Sequence, residues 1–207
     1  MNNLKESAPM KDSHFKMMSL IHDNPLRRRF NSPTQTLKAA GVRPGLRVLE
    51  IGCGPGFFTL PAAAVIGEKG RLYTIDIHPL AIERVREKLS LSGLKNVELY
   101  QADAANTGLP ANSINLVLVF GVLHSLPLGQ VFPEFHRLLR PGGMVAVDSH
   151  RKGASIMGTL ETGGLFSYEG MQSGISRLQK KGIKAENWKP QLEQYSCKTF
   201  IPRPKSF

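Results

Sequence analysis

Cysteine is nearly absent from this chain: Cys53 and Cys197 are the only two among 207 residues. Two thiols cannot build a disulfide framework or a cysteine-based metal cluster. Long apolar runs are also missing. The longest, residues 114–123, is broken by Asn115 and Gly121 and falls well short of the roughly 18 residues that cross a bilayer. Aromatic residues make up 7% of the chain and are not interleaved with the basic ones, so a base-stacking platform is not evident. No apolar stretch follows a basic start at the N-terminus, so no secretory leader is expected and a cytoplasmic location is. No repeat recurs at solenoid or propeller periods.

What the chain has in excess is positive charge, +11 in total. Its distribution is uneven. Residues 1–45 hold eight Lys/Arg against three Asp/Glu, residues 46–150 hold nine of each, and residues 151–207 hold ten against four. The surplus therefore sits on the two ends. Basic flanks suit a phosphate-tracking enzyme, an acidic substrate or an anionic surface, or they are simply solvated tails. Three regions are expected: an N-terminal flexible segment or lid over residues 1–30, a core domain over 31–181, and a basic C-terminal tail over 182–207.

Within the core, strand-like and helix-like segments alternate. Ser32 and Pro33 open a helix that stops at Gly41, with the Ser32 side chain as its cap. Strands are expected at Arg47–Ile51, Arg71–Ile75, Val97–Tyr100, Ile114–Phe120 and Met144–Val147. Helices are expected from Phe57 to Ile66, from Pro79 past Leu91, and from Gly129 to Leu139, the last ended by Pro141-Gly142-Gly143. A helix over Ala154–Thr162 and short strands near Leu165–Tyr168 and Gly174–Leu178 would complete the unit. Such alternation implies parallel pairing, because a parallel crossover is long enough to hold a helix. The expected fold is α/β: a doubly wound, Rossmann-like, mostly parallel sheet between two helical layers.

The chemistry concentrates in Val48-Leu49-Glu50-Ile51-Gly52-Cys53-Gly54-Pro55-Gly56. Three glycines at alternate positions follow a strand and precede a helix, so the backbone can turn sharply and lie against a ligand. A dinucleotide fingerprint starting at Gly52 would need glycine where Phe57 stands, and Pro55 removes an amide that would hold a pyrophosphate. A P-loop is excluded by the lack of a Gly-Lys-Ser/Thr ending. Asp76 closes the second strand, 20 residues after Gly56, where a carboxylate can accept both hydroxyls of a ribose. Ile77 can pack on an adenine face, and Asp103, after the third strand, can accept from the adenine amine. Each aspartate alone is equally at home as a turn residue or cap.

Four stretches in order resemble class I S-adenosylmethionine-dependent methyltransferases. Glu50-x-Gly52-x-Gly54-x-Gly56 resembles the family's first motif, and Tyr73-Thr74-Ile75-Asp76 its second. Leu109-Pro110 with Ser113-Ile114-Asn115-Leu116-Val117 resembles the entry to strand four, with Asn115 in place of the usual Asp. Leu138-Leu139-Arg140-Pro141-Gly142-Gly143 resembles the turn before strand five. The nearest subgroup is the methyltransferase-11-like, ubiquinone/menaquinone-methyltransferase-like enzymes. The resemblance spans about residues 30–150 and implies S-adenosylmethionine as cofactor, released as S-adenosylhomocysteine. It implies that Glu50 orients the loop and helps hold the methionine amino group, and that Gly52, Cys53, Gly54 and Gly56 line the methionine and ribose. Asp76 would hold the ribose and Ile77, Asp103 and Ala104 the adenine; Phe120 and Gly121 would border the transferred methyl.

Methyl transfer from a sulfonium asks mainly for alignment in a desolvated site, with a base only where the acceptor must lose a proton. His124 and His150, just past strands four and five, are the candidate catalytic residues. His22-Asp23 and Arg27-Arg28-Arg29 would belong to the lid, the arginines serving an anionic substrate. The expected acceptor is a small molecule, methylated by direct in-line displacement, with no metal. The alternatives are an RNA methyltransferase that uses the basic ends and a non-catalytic cofactor-binding module. Base-amino methylation is disfavoured, since Phe120-Gly121-Val122-Leu123 stands where an Asn/Asp-Pro-Pro-aromatic motif would lie.

Overall fold

The computed structural model describes Asp12, residues 32–148 and residues 164–182. The expected lid, the C-terminal tail beyond Gly182, and the helix expected over Ala154–Thr162 lie outside the described residues. The elements run α1 (Pro33–Ala39), β1 (Arg47–Ile51), α2 (Thr59–Ile66), β2 (Arg71–Asp76), α3 (Pro79–Ser92), β3 (Val97–Gln101) and β4 (Ile114–Val119). A 3₁₀ turn (Leu123–Ser125), α4 (Leu128–Leu138), β5 (Leu139–Asp148), β6 (Phe166–Gln172) and β7 (Ile175–Lys180) follow.

The seven strands form one sheet in the order β3-β2-β1-β4-β5-β7-β6. Strands β1 to β5 are parallel, and β7 pairs antiparallel to both β5 and β6. The doubly wound, mostly parallel sheet expected from the sequence is the one observed. Between β1 and β4 the direction of strand addition reverses, and at such a switch point a crevice opens beyond the carboxyl ends of the strands.

Side-chain alternation along each strand feeds two separate cores. Leu49, Ile51, Tyr73, Ile75, Val117, Val119, Val145 and Val147 face α4, which returns Val131, Phe132, Phe135 and Leu138. Val48, Leu72, Leu116, Leu118 and Ala146 face the other way, against Leu37 of α1 and Ala62, Ala63 and Ile66 of α2. Phe132 is fully buried, with ring centroids 5.5 Å from Phe135 and 5.7 Å from Phe166, both edge-to-face. Such pairs add to the area term that aromatic burial already supplies.

Three local expectations need correction. Pro141-Gly142-Gly143 does not form a turn between α4 and β5: α4 gives way to β5 at Leu139 with no connector, and the three residues lie inside that strand. Partner register jumps there from Ile114↔Leu139 to Leu116↔Met144, a bulge that absorbs the residues whose backbone suits neither helix nor ladder. The Ser32 side chain makes no capping bond; the Ser32 carbonyl instead accepts from the amides of Gln35 and Thr36 and from the Thr36 hydroxyl. Helix α2 starts at Thr59, not at Phe57, because Phe57 and Phe58 belong to the turn itself. Asn115, the departure from the family pattern, braces the start of β1, since its Oδ1 accepts the Arg47 amide at 2.9 Å.

Candidate cofactor site

The glycine-rich turn leaves β1 at the switch point and is bound on every side. Gly52 donates its amide to the Ile75 carbonyl (2.8 Å), and Gly56 closes the turn on the Cys53 carbonyl (2.9 Å). Lys88 reaches from α3 to the Pro55 carbonyl at 2.7 Å. Gly52 and Gly56 both have positive φ, +73° and +84°, which side chains rarely adopt. A Cβ on Gly52 would press on Val122 at 3.1 Å, and one on Gly56 on Val85 at 3.0 Å. The loop is thus clamped between α3 and the segment after β4.

Asp76 ends β2 beside that loop. Its Oδ2 accepts the Gly54 amide at 2.9 Å and its Oδ1 accepts the His78 amide at 2.8 Å. The carboxylate is half-buried. With two oxygens and about four acceptor positions, it retains capacity for further donors. Ile77, next along, is 68% exposed, an unusual position for a large apolar side chain and one open to a flat ligand. Asp103 sits beyond β3, where its Oδ1 accepts the Ala105 amide at 2.8 Å and the Asn106 amide bonds its carbonyl. Ala104 is buried behind it. Phe120 packs edge-on against Phe58 at 4.9 Å, and Gly121 stands exposed after β4. His124 is exposed in the 3₁₀ turn just beyond, at the same edge of the sheet. His150 lies outside the described residues.

Glu50 lies near the end of β1. It faces the α2 side of the sheet, 5% exposed, and its Oε2 accepts the hydroxyls of Thr59 (2.8 Å) and Thr74 (3.1 Å). Burial pushes its carboxyl up to about 7, the nearby Asp76 charge adds to the rise, and the two hydroxyls oppose it. Cys53 is buried against Asp76, with Sγ 3.8 Å from Oδ2. Burial, with the charges of Glu50 and Asp76, pushes its thiol far up, so it stays protonated and is no nucleophile.

Sequence reasoning missed Thr59, Thr74 and His78. Thr74 was within reach, since parallel register sets Glu50 opposite Thr74 and alternation puts both on one face. His78 is buried at the start of α3, and its Nε2 lies 3.6 Å from Asp12 Oδ1. Nothing in its local sequence marks it. Among the described residues no group of His, Cys, Asp and Glu could hold a metal, and no helix is long and apolar enough to cross a membrane.

A family profile described as "Methyltransferase domain" matches residues 43–191. The chain therefore belongs to the methyltransferase-domain family, of the class I S-adenosylmethionine-dependent type. It is 37% identical over 106 residues to aklanonic acid methyltransferase DauC of Streptomyces sp. (strain C5), a match covering 51% of this chain and 48% of that one. It is 34% identical over 114 residues to the ubiquinone/menaquinone biosynthesis C-methyltransferase UbiE of Teredinibacter turnerae, covering 54% and 46%. An arsenite methyltransferase of Halobacterium salinarum is 34% identical over 109 residues, covering 52% and 28%. The chain thus spans half or less of the length of these relatives. In fold it superposes on a SAM-dependent methyltransferase from Aquifex aeolicus with a TM-score of 0.69 at 23% identity, covering 83% of this chain and 98% of that one.

Proposed function

We propose that the protein transfers a methyl group from S-adenosylmethionine to a small-molecule acceptor by direct in-line displacement. The observation that carries the reading is the juxtaposition of the clamped glycine turn with the half-buried Asp76 and with Asp103, at the carboxyl ends of three adjacent strands. The residues present fit the cofactor: a loop without side chains at Gly52 and Gly54, a carboxylate with acceptor capacity left, and an open apolar side chain at Ile77.

In this reading Asp76 accepts the ribose hydroxyls, and Ile77, Asp103 and Ala104 surround the adenine. Gly52, Cys53, Gly54 and Gly56 line the methionine arm through their backbone. Glu50 acts indirectly, by fixing Thr59 and the end of β1 beneath the loop. Phe120 and Gly121 border the reacting methyl. When bound, the sulfonium supplies an activated methyl electrophile, so what the protein adds is alignment and exclusion of water. His124 stands where it can contact the acceptor or take its proton, and His150 is assigned the same function by its place after β5. The small-molecule class rests on the names of the relatives and on the absence of the base-amino motif after β4.

Calorimetric titration with S-adenosylmethionine, beside an Asp76→Ala variant, tests the reading. Saturable binding that the variant loses supports it and opens a screen of acceptors, small anionic metabolites first. Absence of binding at millimolar cofactor by a folded wild type overturns it.

A further inference from the structure

The edge of the sheet opposite the cofactor site carries a different chemistry. There, at the amino ends of the parallel strands, a cleft of about 510 Å³ is lined by Arg47, Lys69, Arg71 and Arg140, with Glu68 as its one acidic side chain. Arg47 and Arg71 are direct register partners at the first positions of β1 and β2. Arg140 arrives from the start of β5. Arg47 is held by the Tyr73 hydroxyl and lies over its ring, and Arg71 is shared with Glu98 at 3.4 Å, a half-exposed pair of small energetic consequence. Lys69 and Arg140 are exposed and have no acidic partner among the described residues.

The charge continues past the cleft. Arg43 precedes β1, Lys95 precedes β3 and gives its carbonyl to Arg71, and Lys180 ends the antiparallel β7 at the same edge with Lys181 just after it. Lys180 is anchored there by the Leu139 carbonyl (2.6 Å) and Asn112 (3.0 Å). From β3 to β7 this rim crosses five strand spacings, about 24 Å at roughly 4.8 Å each. By contrast, Asp76, Asp103 and Asp148 all end or follow strands at the cofactor edge. The central block that is neutral by composition is electrically two-faced once folded.

We propose that this basic rim, seated on the Arg47–Lys69–Arg71–Arg140 cleft, is a binding site for the phosphate backbone of a nucleic acid. Its length exceeds what a compact phosphate ligand touches, whereas a polyanion meets the cations in series. The three arginines and one lysine of the cleft, against a single acidic side chain, match the strongly positive surfaces of nucleic-acid contacts. None of the exposed large apolar side chains, Ile77, Leu91, Tyr168 and Met171, lines the cleft, which disfavours insertion into a lipid surface. With no aromatic side chain lining it, the cleft reads charge and not base identity. The strands, five or six residues long, separate this site from the cofactor edge by about 17–20 Å. Nucleotides seated in the cleft are therefore held away from the reacting methyl, and the site does not depend on the methyltransferase reading.

The test is fluorescence anisotropy of the full chain with a labelled 20-nucleotide single-stranded RNA over a series of salt concentrations. Each neutralised phosphate contributes about −0.7 to the slope of log K against log salt. The Lys69→Gln/Arg140→Gln double variant leaves two phosphates unneutralised, so it is expected to flatten the slope by about 1.4 and to weaken binding. The Arg86→Gln variant, an exposed charge on α3, is expected to leave the slope unchanged. Far-UV circular dichroism and cofactor titration, unaltered in the double variant, show that the fold and the other edge are intact. An equal flattening by Arg86→Gln, or none by the double variant, overturns the proposal. So does displacement of the RNA by inorganic triphosphate at equal phosphate concentration, which would make the ligand compact. Preferential, cleft-dependent retention on vesicles of phosphatidylserine in phosphatidylcholine would make it a membrane-binding surface and overturn it as well.

Discussion

Replacing Glu50 with glutamine isolates the cost of holding a charge beneath the glycine turn. The side chain is 5% exposed, and its carboxyl titrates at about 7 in the folded protein against an ordinary value of 4.5. Burial raises it, so the folded state prefers the protonated, uncharged form. The associated stability is fully present below pH 4.5, where folded and unfolded chains are both protonated. It is lost as pH rises through about 7, because the unfolded chain ionises first. At about 1.36 kcal/mol per pH unit the gap amounts to roughly 3 kcal/mol. Glutamine cannot ionise, and its carbonyl can still accept from Thr59 and Thr74. Urea unfolding of the cofactor-free proteins at pH values from 4.5 to 8 should show the variant gaining on the wild type by roughly 3 kcal/mol across that range. A stability difference that stays constant with pH would refute the reasoning, since it would mean that Glu50 ionises as if it were in water.

Three further outcomes follow from named contacts. Gly56→Ala should cost about 2 kcal/mol, because an L residue is strained at φ +84° and its Cβ meets Val85 at 3.0 Å; an unaltered urea midpoint would contradict this. Phe132→Ala should lose about 3–5 kcal/mol from the α4 face of the core, and a loss below about 1 would show that the ring cluster is not the packing centre. Asp103→Asn keeps an acceptor for the Ala105 amide but removes the charge. Cofactor affinity, read by calorimetry, should fall roughly tenfold or more, while unchanged affinity would take Asp103 out of the adenine site.

Much of this molecule is legible without coordinates, for local reasons. The alternation of strand and helix follows from apolar periodicity, and the glycine turn, Asp76 and Asp103 follow from the positions where such strands end. These signals survive because each depends on a handful of neighbouring residues. Pro141-Gly142-Gly143 reads locally as a turn, yet β4 supplies a ladder that begins at Leu139 and forces the three residues into a bulge. Glu50 stands out in the sequence as part of the glycine motif, but only the register of β1 against β2 and the start of α2 reveal the two hydroxyls that hold it. The charges show the division most clearly. By itself the sequence determined that residues 46–150 carry nine charges of each sign. Only the tertiary structure decided where several of them gather. Parallel strands align all their starts on one edge and all their ends on the other, so Arg47, Arg71 and Arg140, distant along the chain, meet around one cleft, while Asp76 and Asp103 lie at the opposite edge, at the ends of adjacent strands.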